Sequence, residues 1–296
     1  MKLENQKQEQ TTPQKLPDFV NSSTIGLALC RSSNHGFTGR LVNHIDLNCD
    51  LGELEGPEGE ALDETMMTYV SSINVACGGH AGDADRIRRV VRHALQLNVA
   101  IGAHPGYADR ANFGRVAVPM SLDEISTLVS QQVQRVAEIV DEFGGKLHHV
   151  KPHGALYNLA ATSPETALAI ATAVKNVAPT CQLVGLSGSC LLDAAKEAGL
   201  RAIGEIFADR NYLADGTLVP RHQPSAVLHD AAEIAARVAS IIRTGTVMTV
   251  DGTKIPLQFD TVCLHSDTPN AGVIAAEIQR VFTECGIIVC AVDVND

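Results

Sequence analysis

Residues 44–53 read HIDLNCDLGE, and their alternation decides the fold. A β-strand turns successive side chains to opposite faces. Ile45, Leu47, Cys49 and Leu51 therefore share one face and Asp46, Asn48 and Asp50 the other, with Glu53 just past the strand end. Working outward, the same rhythm recurs in SINVACGG (72–79), VAIGAHP (99–105), KLHHVKPH (146–153), QLVGLSG (182–188), RAIGEIFAD (201–209), TVCLHSD (261–267) and IIVCAVD (287–293). Between these runs lie longer segments of helical period, so the chain predicts βα units and a mostly parallel sheet. Roughly seven such units in about 250 residues fit a closed α/β barrel of the TIM-like (β/α) kind better than an open doubly wound sheet.

The punctuation between the runs agrees. Ser121 and Glu124 have capping-box spacing ahead of one helix, and Ser163 with Pro164 supplies an N-cap and a first-turn proline for another. Gly144 and Gly199 stand where helices should end in a left-handed residue. Asp83 and Asp85 should cap and charge the start of the helix DADRIRRVVRHAL, whose His93 should lie at the surface. Asp251-Gly252, between two β-like runs in TVMTVDGTKIPLQFDTV, predicts an inserted hairpin.

Composition sets outer bounds. With 296 residues, 45% of them hydrophobic, the chain can bury a large core. A net charge of −11 argues against nucleic acid or an anionic membrane as partner. No apolar run approaches the roughly 20 residues that cross a bilayer. The eight cysteines show neither CxxC pairs nor regular spacing, and no secretory leader precedes them, so they read as reduced, structural thiols of a cytoplasmic protein. The opening stretch, residues 1–19, is rich in Gln, Lys and Glu, and residues 1–43, including Cys30 and His35, read as a poorly ordered tail. Residues 44–296 read as a single catalytic domain.

Buried parallel strands are ordinarily continuous runs of Val, Ile and Leu. These strands instead place polar groups near their carboxyl ends, where barrel active sites are built. The inward faces predicted by period two carry Asp46, Asn48 and Asp50; Asn74 and His80; His104; His149, Lys151 and His153; Glu205 and Asp209; and Cys263, His265 and Asp267. Loops add Arg110 and Arg115 in GYADRANFGR and Arg210 and Arg221 in RNYLADGTLVPR, guanidinium forks suited to carboxylate or phosphate. No GxGxxG, Walker-type GxxxxGK[ST] or GxSxG elbow occurs, so neither a dinucleotide fold, a phosphate loop nor a serine hydrolase is signalled.

The segments IDLNCDLGE, NVACGGHAGD, GAHPGYADRANFGR, VKPHGALYN, GEIFADRNY and LHSDTPNA together resemble the LamB/YcsF family of lactam-utilisation proteins, from about residue 44 onward. The resemblance implies a seven-stranded barrel related to metal-dependent polysaccharide deacetylases. It implies the A-subunit part in ATP-dependent opening of 5-oxoproline, or a related small lactam, to the open amino acid, alongside companion subunits B and C. Family residues would map onto Asp46, Asn48, Asp50, Glu53, Asn74, His80, His104, Lys151, His153, Glu205, Asp209, Arg210, His265 and Asp267. ATP would be a co-substrate held wholly or partly by the companions. Phosphorylating the amide oxygen would make the carbonyl carbon open to water. Asp50 or His80 would then act as base, Lys151 and His153 would stabilise developing charge, and Arg110 or Arg115 would hold the ring carboxylate. Lys151→Met should on this view cost orders of magnitude in turnover with little change in fold. Two alternatives stay open: a stand-alone divalent-metal amide hydrolase with Asp50, His80 and His104 as ligands, and a non-catalytic carrier of a cyclic amino acid.

Overall fold

The computed structural model describes residues 44–293; the expected tail over 1–43 and the last three residues lie outside them. In chain order the described strands are β1 (His44–Leu51), β2 (Ser72–Ala76), β3 (Ala100–His104), β4 (His149–Val150), β5 (Gln182–Leu186), β6 (Arg201–Phe207), β7 (Thr246–Met248), β8 (Lys254–Pro256), β9 (Thr261–His265) and β10 (Ile288–Val289). The helices are α1 (Gly56–Met67), α2 (Ala84–Leu97), α3 (Leu122–Glu142), α4 (Gly154–Thr162), α5 (Pro164–Val177), α6 (Cys190–Glu197), α7 (Ala231–Thr244) and α8 (Ala271–Glu284). Strands β1 to β6 and β9 pair in parallel, and β1 pairs with both β2 and β9, closing a seven-stranded barrel. The two short strands β7 and β8 make the expected antiparallel hairpin.

Each strand of the ring divides as its alternation requires. Ile45, Leu47, Cys49 and Leu51 are buried in one continuous apolar core that also takes in the inner faces of the helices. That core includes Ile87, Val90, Val91 and Ala94 of α2 and Val129, Val133, Val136 and Val140 of α3. The helix ends follow their local signals: Ser121 and Glu124 form a reciprocal capping box, and Ser163 and Asp83 accept from backbone N–H groups of the turns they start. His93 is partly exposed on α2, and Gly144 and Gly199 adopt φ of 72° and 68°.

Two expected strands are shorter than their sequences. Only His149 and Val150 of KLHHVKPH are regular, because Pro152 has no N–H to give, although Lys151 N and His153 N still donate to Ala103 O and Pro105 O. β10 ends after Val289; the chain then crosses the amino-terminal end of the barrel, where Val292 O accepts from Gln182 Nε2 and contacts the His148 ring.

The interior is polar rather than aliphatic. At its closed end Asp46 accepts hydrogen bonds from the hydroxyls of Ser71, Ser72 and Thr261. Burial raises its carboxyl, and those hydroxyls oppose the rise. One layer up, His149 lies against Asn74 Oδ1 at 2.8 Å, in space left by Gly102. A Cβ on Gly102 would stand 2.2 Å from His149 Nε2. Gly102→Ala should therefore lower stability by about 1–3 kcal/mol, read as a shift in urea midpoint at unchanged slope.

Candidate active site

The carboxyl end of the barrel opens into a cavity of about 660 Å³. Asp50, Glu53, His104, Lys151 and His153 meet at its floor, and Arg115, Tyr157, Arg210, Arg221 and His265 line its walls. Six strands or their following loops contribute, so residues far apart in sequence share one chamber.

Lys151 anchors the floor. Its ammonium is 2% exposed and lies 3.0 Å from Asp50 Oδ1, 2.9 Å from Glu205 Oε1 and 3.2 Å from Asn48 Oδ1. Glu205 also accepts from Asn48 Nδ2 and from the Tyr157 hydroxyl, and Asn74 Nδ2 bridges Asn48 and Asp50. Burial alone would drive the Lys151 proton off, but the Asp50 and Glu205 carboxylates outweigh it and hold the ammonium well above its usual range. Burial likewise pushes Asp50 upward, and His104 and Lys151 overrule it, leaving a firmly ionised carboxylate. The ammonium thus serves two buried carboxylates as their shared counter-charge. Cys263 Sγ lies 3.0 Å from the same ammonium, yet burial keeps its thiol well above the ordinary value and hence neutral.

Above this layer Glu53, His80, His104 and His153 pack together. His80 Nε2 is 2.9 Å from Glu53 Oε1, and its ring stacks on His153 with centroids 3.6 Å apart. Glu53 is pushed up by burial, but His153, through charge and hydrogen bond, and His80 hold it far below the usual carboxylate range. Burial, as the largest influence, lowers His80 to about 4. Two glycines admit these rings: a Cβ on Gly106 would meet His80 Nδ1 at 2.9 Å, and one on Gly114 would meet His80 Cβ at 2.8 Å. Phe113 takes a left-handed φ of 55°, which aims its carbonyl at His153 Nε2, 2.9 Å away.

A pH dependence follows from the His80 shift. Its folded value of about 4 lies below the ordinary 6.5, so the unfolded chain takes up a proton first as pH falls. Stability is full above 6.5 and declines through the window from 6.5 to 4. In chelator-treated protein, denaturant unfolding at pH 6.5 and 5 should differ by about 2 kcal/mol from this histidine, and His80→Gln should flatten that slope.

The mouth is arranged by loops. Asp267 Oδ2 accepts from Arg115 and lies 3.5 Å from Arg221 Nη1, joining three separate loops. Asp209 receives Thr268 Oγ1 at 2.7 Å and faces His265 Nδ1 at 3.0 Å. Burial pushes Asp209 up, and His265 outweighs that to leave it at about 2. Arg210 donates to Val219 O and Ala226 O and so ties down the loop that carries Arg221.

The sequence-derived candidates thus separate into groups. Asp50, Glu53, His104, Arg115, Lys151, His153, Arg210 and His265 line the cavity. Asn48, Asn74, Glu205 and Asp209 are buried in the network that supports them, and His80 sits behind His153 and Glu53. Asp46 is shut in at the opposite end, and Arg110 turns outward to the carbonyls of Gly78 and Gly82, leaving Arg115 and Arg221 as the arginines at the mouth. Tyr157 was not singled out from sequence; its place four residues after His153, on the first turn of α4, is the signal that marks it.

The chain is similar to known proteins over nearly all of its described length. The model of the LamB/YcsF family matches residues 45–295. A Bordetella pertussis protein, named as the A subunit of 5-oxoprolinase, is 46% identical over 247 residues, covering 83% of this chain and 98% of that protein. Its namesake from Chloroflexus aurantiacus is 48% identical over 247 residues with the same coverage. The crystal structure of a lactam utilization protein from Thermus thermophilus superposes with a TM-score of 0.77 at 38% identity, over 84% of this chain and all of that one. Among the described residues no helix is long and apolar enough to cross a membrane.

Proposed function

The chain belongs to the LamB/YcsF family, and from that premise we propose that it holds a small lactam, 5-oxoproline in the first instance, for ATP-dependent ring opening as one member of a complex with companion B and C subunits. The observation that carries this reading is the chamber itself: a floor of ionised carboxylates and imidazoles beneath a mouth of arginines. A five-membered lactam carrying a carboxylate matches that polarity, with its carboxylate toward Arg115 and Arg221 and its amide toward Asp50, His104 and His153.

A lactam amide is stabilised by resonance, and its ring re-closes readily, so opening needs coupling to a phosphoryl transfer that leaves the carbonyl carbon exposed to water. In this arrangement Asp50 faces the cavity as an anion and orients the attacking water. His104 and His153, 2.9 Å apart, lie beside it at the floor, where they stabilise the charge that develops on the amide. Lys151 acts one layer below by fixing Asp50, and His80 acts by fixing Glu53. The chain has no glycine-rich phosphate loop, so ATP is bound by or with the companions.

The test is reconstitution: the chain is incubated with 5-oxoproline and ATP, with and without companion subunits, and free glutamate and phosphate are followed. Both should appear only in the complete mixture. Robust ring opening by the single chain would overturn the division of labour, and binding without turnover in the complete mixture would favour a carrier. Arg115→Ala should raise the KM for 5-oxoproline about 10- to 100-fold with little change in kcat, because the lost contact is to a charged group made equally in ground and transition states.

A further inference from the structure

We propose that Asp50, Glu53, His104 and His153 form a binding site for one divalent transition-metal ion of the zinc or cobalt type. Hydrogen-bond bookkeeping on the two imidazoles carries the inference. His104 Nδ1 lies 2.7 Å from Lys151 O, and His153 Nε2 lies 2.9 Å from Phe113 O. A carbonyl oxygen only accepts, so both outer nitrogens carry protons. In neutral rings the inner nitrogens, His104 Nε2 and His153 Nδ1, are then bare lone pairs, and they face each other at 2.9 Å.

Their other neighbours are carboxylate oxygens. Asp50 Oδ2 is 3.3 Å from His104 Nε2, and Glu53 Oε1 is 3.2 Å from His153 Nδ1 and 3.9 Å from His104 Nε2. Four electron-pair donors thus converge, all within 4.8 Å of one another, and the cavity opens onto them. Such a cluster is repulsive unless a cation sits among the donors.

The dimensions fit. Metal–ligand bonds of about 2.1 Å give donor–donor edges of roughly 3.0 Å in octahedral and 3.4 Å in tetrahedral cages, which the separations here bracket. Mixed imidazole and carboxylate donors suit zinc, cobalt or iron rather than calcium. The outer shell also has the usual form: each ring donates its remote N–H to a backbone carbonyl, which fixes the tautomer that leaves the inner nitrogen free. His80 belongs to this shell through Glu53 and is not a ligand, unlike in the sequence-derived alternative that used Asp50, His80 and His104.

The metal site does not depend on the lactam reading, and its test uses neither lactam nor ATP. The full chain, stripped with chelator and dialysed, is titrated with Zn²⁺ and Co²⁺ and followed by metal analysis, thermal melting and X-ray absorption at the metal edge. Expected are one ion per chain, a rise of several degrees in Tm, and a shell of nitrogen and oxygen scatterers including two imidazoles. Glu53→Gln and His153→Ala should each weaken uptake at least ten-fold, while His80→Gln keeps the one-to-one stoichiometry. Should a variant fold poorly, the absorption spectrum of the unaltered chain decides alone. Absence of stoichiometric uptake, a sulfur scatterer pointing to the cysteines, or undiminished uptake by His153→Ala in a folded state would each overturn the site; the first would mean that a proton bridges the imidazoles instead.

Discussion

Lys151→Met is expected to cost about 3–5 kcal/mol of stability and to abolish turnover by the reconstituted complex. Methionine fills much of the same volume but leaves Asp50 and Glu205, 5% and 0% exposed at their side chains, without their shared ammonium. Uncompensated buried charge, rather than lost packing, is the source of the loss. The sign of its pH dependence distinguishes the two. Once the ammonium is gone, burial at Asp50 is opposed by His104 and His265 without Lys151, so the carboxyl rises and the folded variant binds protons more tightly than the folded parent. The deficit should be largest above neutrality and shrink as the medium is acidified. Urea unfolding at pH 8 and pH 5 reads this, and a variant as stable as the parent at both would remove Lys151 from its structural place.

Asp50→Asn should have the opposite character: near-normal stability with turnover reduced by about 10²- to 10⁴-fold. The amide is isosteric. Its oxygen can keep accepting from Lys151 and Asn74, while its NH2 takes the place of Oδ2, 3.3 Å from His104 Nε2. Lys151 retains Glu205 as counter-charge. What disappears is the anion facing the cavity. Steady-state kinetics of the complex should show the fall in kcat, and turnover within a few-fold of the parent would show that Asp50 only braces the floor.

The barrel was readable because alternation is a local property. β1 matches its sequence reading residue for residue, and Ser121, Ser163, Asp83 and Asp251-Gly252 each settle a boundary within a few residues of themselves. Alternation assigns a face but not a depth. Asp46 and Asp50 share a face, yet four residues at about 3.3 Å each put one at the sealed end and the other at the mouth. Loops carry no period at all, so Arg110 and Arg115 were indistinguishable by composition, and only the folded backbone turns one outward and the other inward. His80 reads as a site residue because its strand phase is right, but the stack on His153 that moves it to the second layer is a contact between separate loops. β4 and β10 were overlong for a related reason: where a strand stops depends on its neighbour's register.

The closure of β1 onto β9 has a kinetic consequence. Asp46 finds Thr261 across 215 positions, so β1, the first of the described strands, gains one of its ring neighbours only after β9 has been made. Until then one margin of the growing sheet is unsheathed, with carboxylates on its inner side that deter stray pairing between nascent chains. Assembly is therefore a late, long-range event, and the charged lining that equips the finished chamber also guards the open intermediate on the way to it.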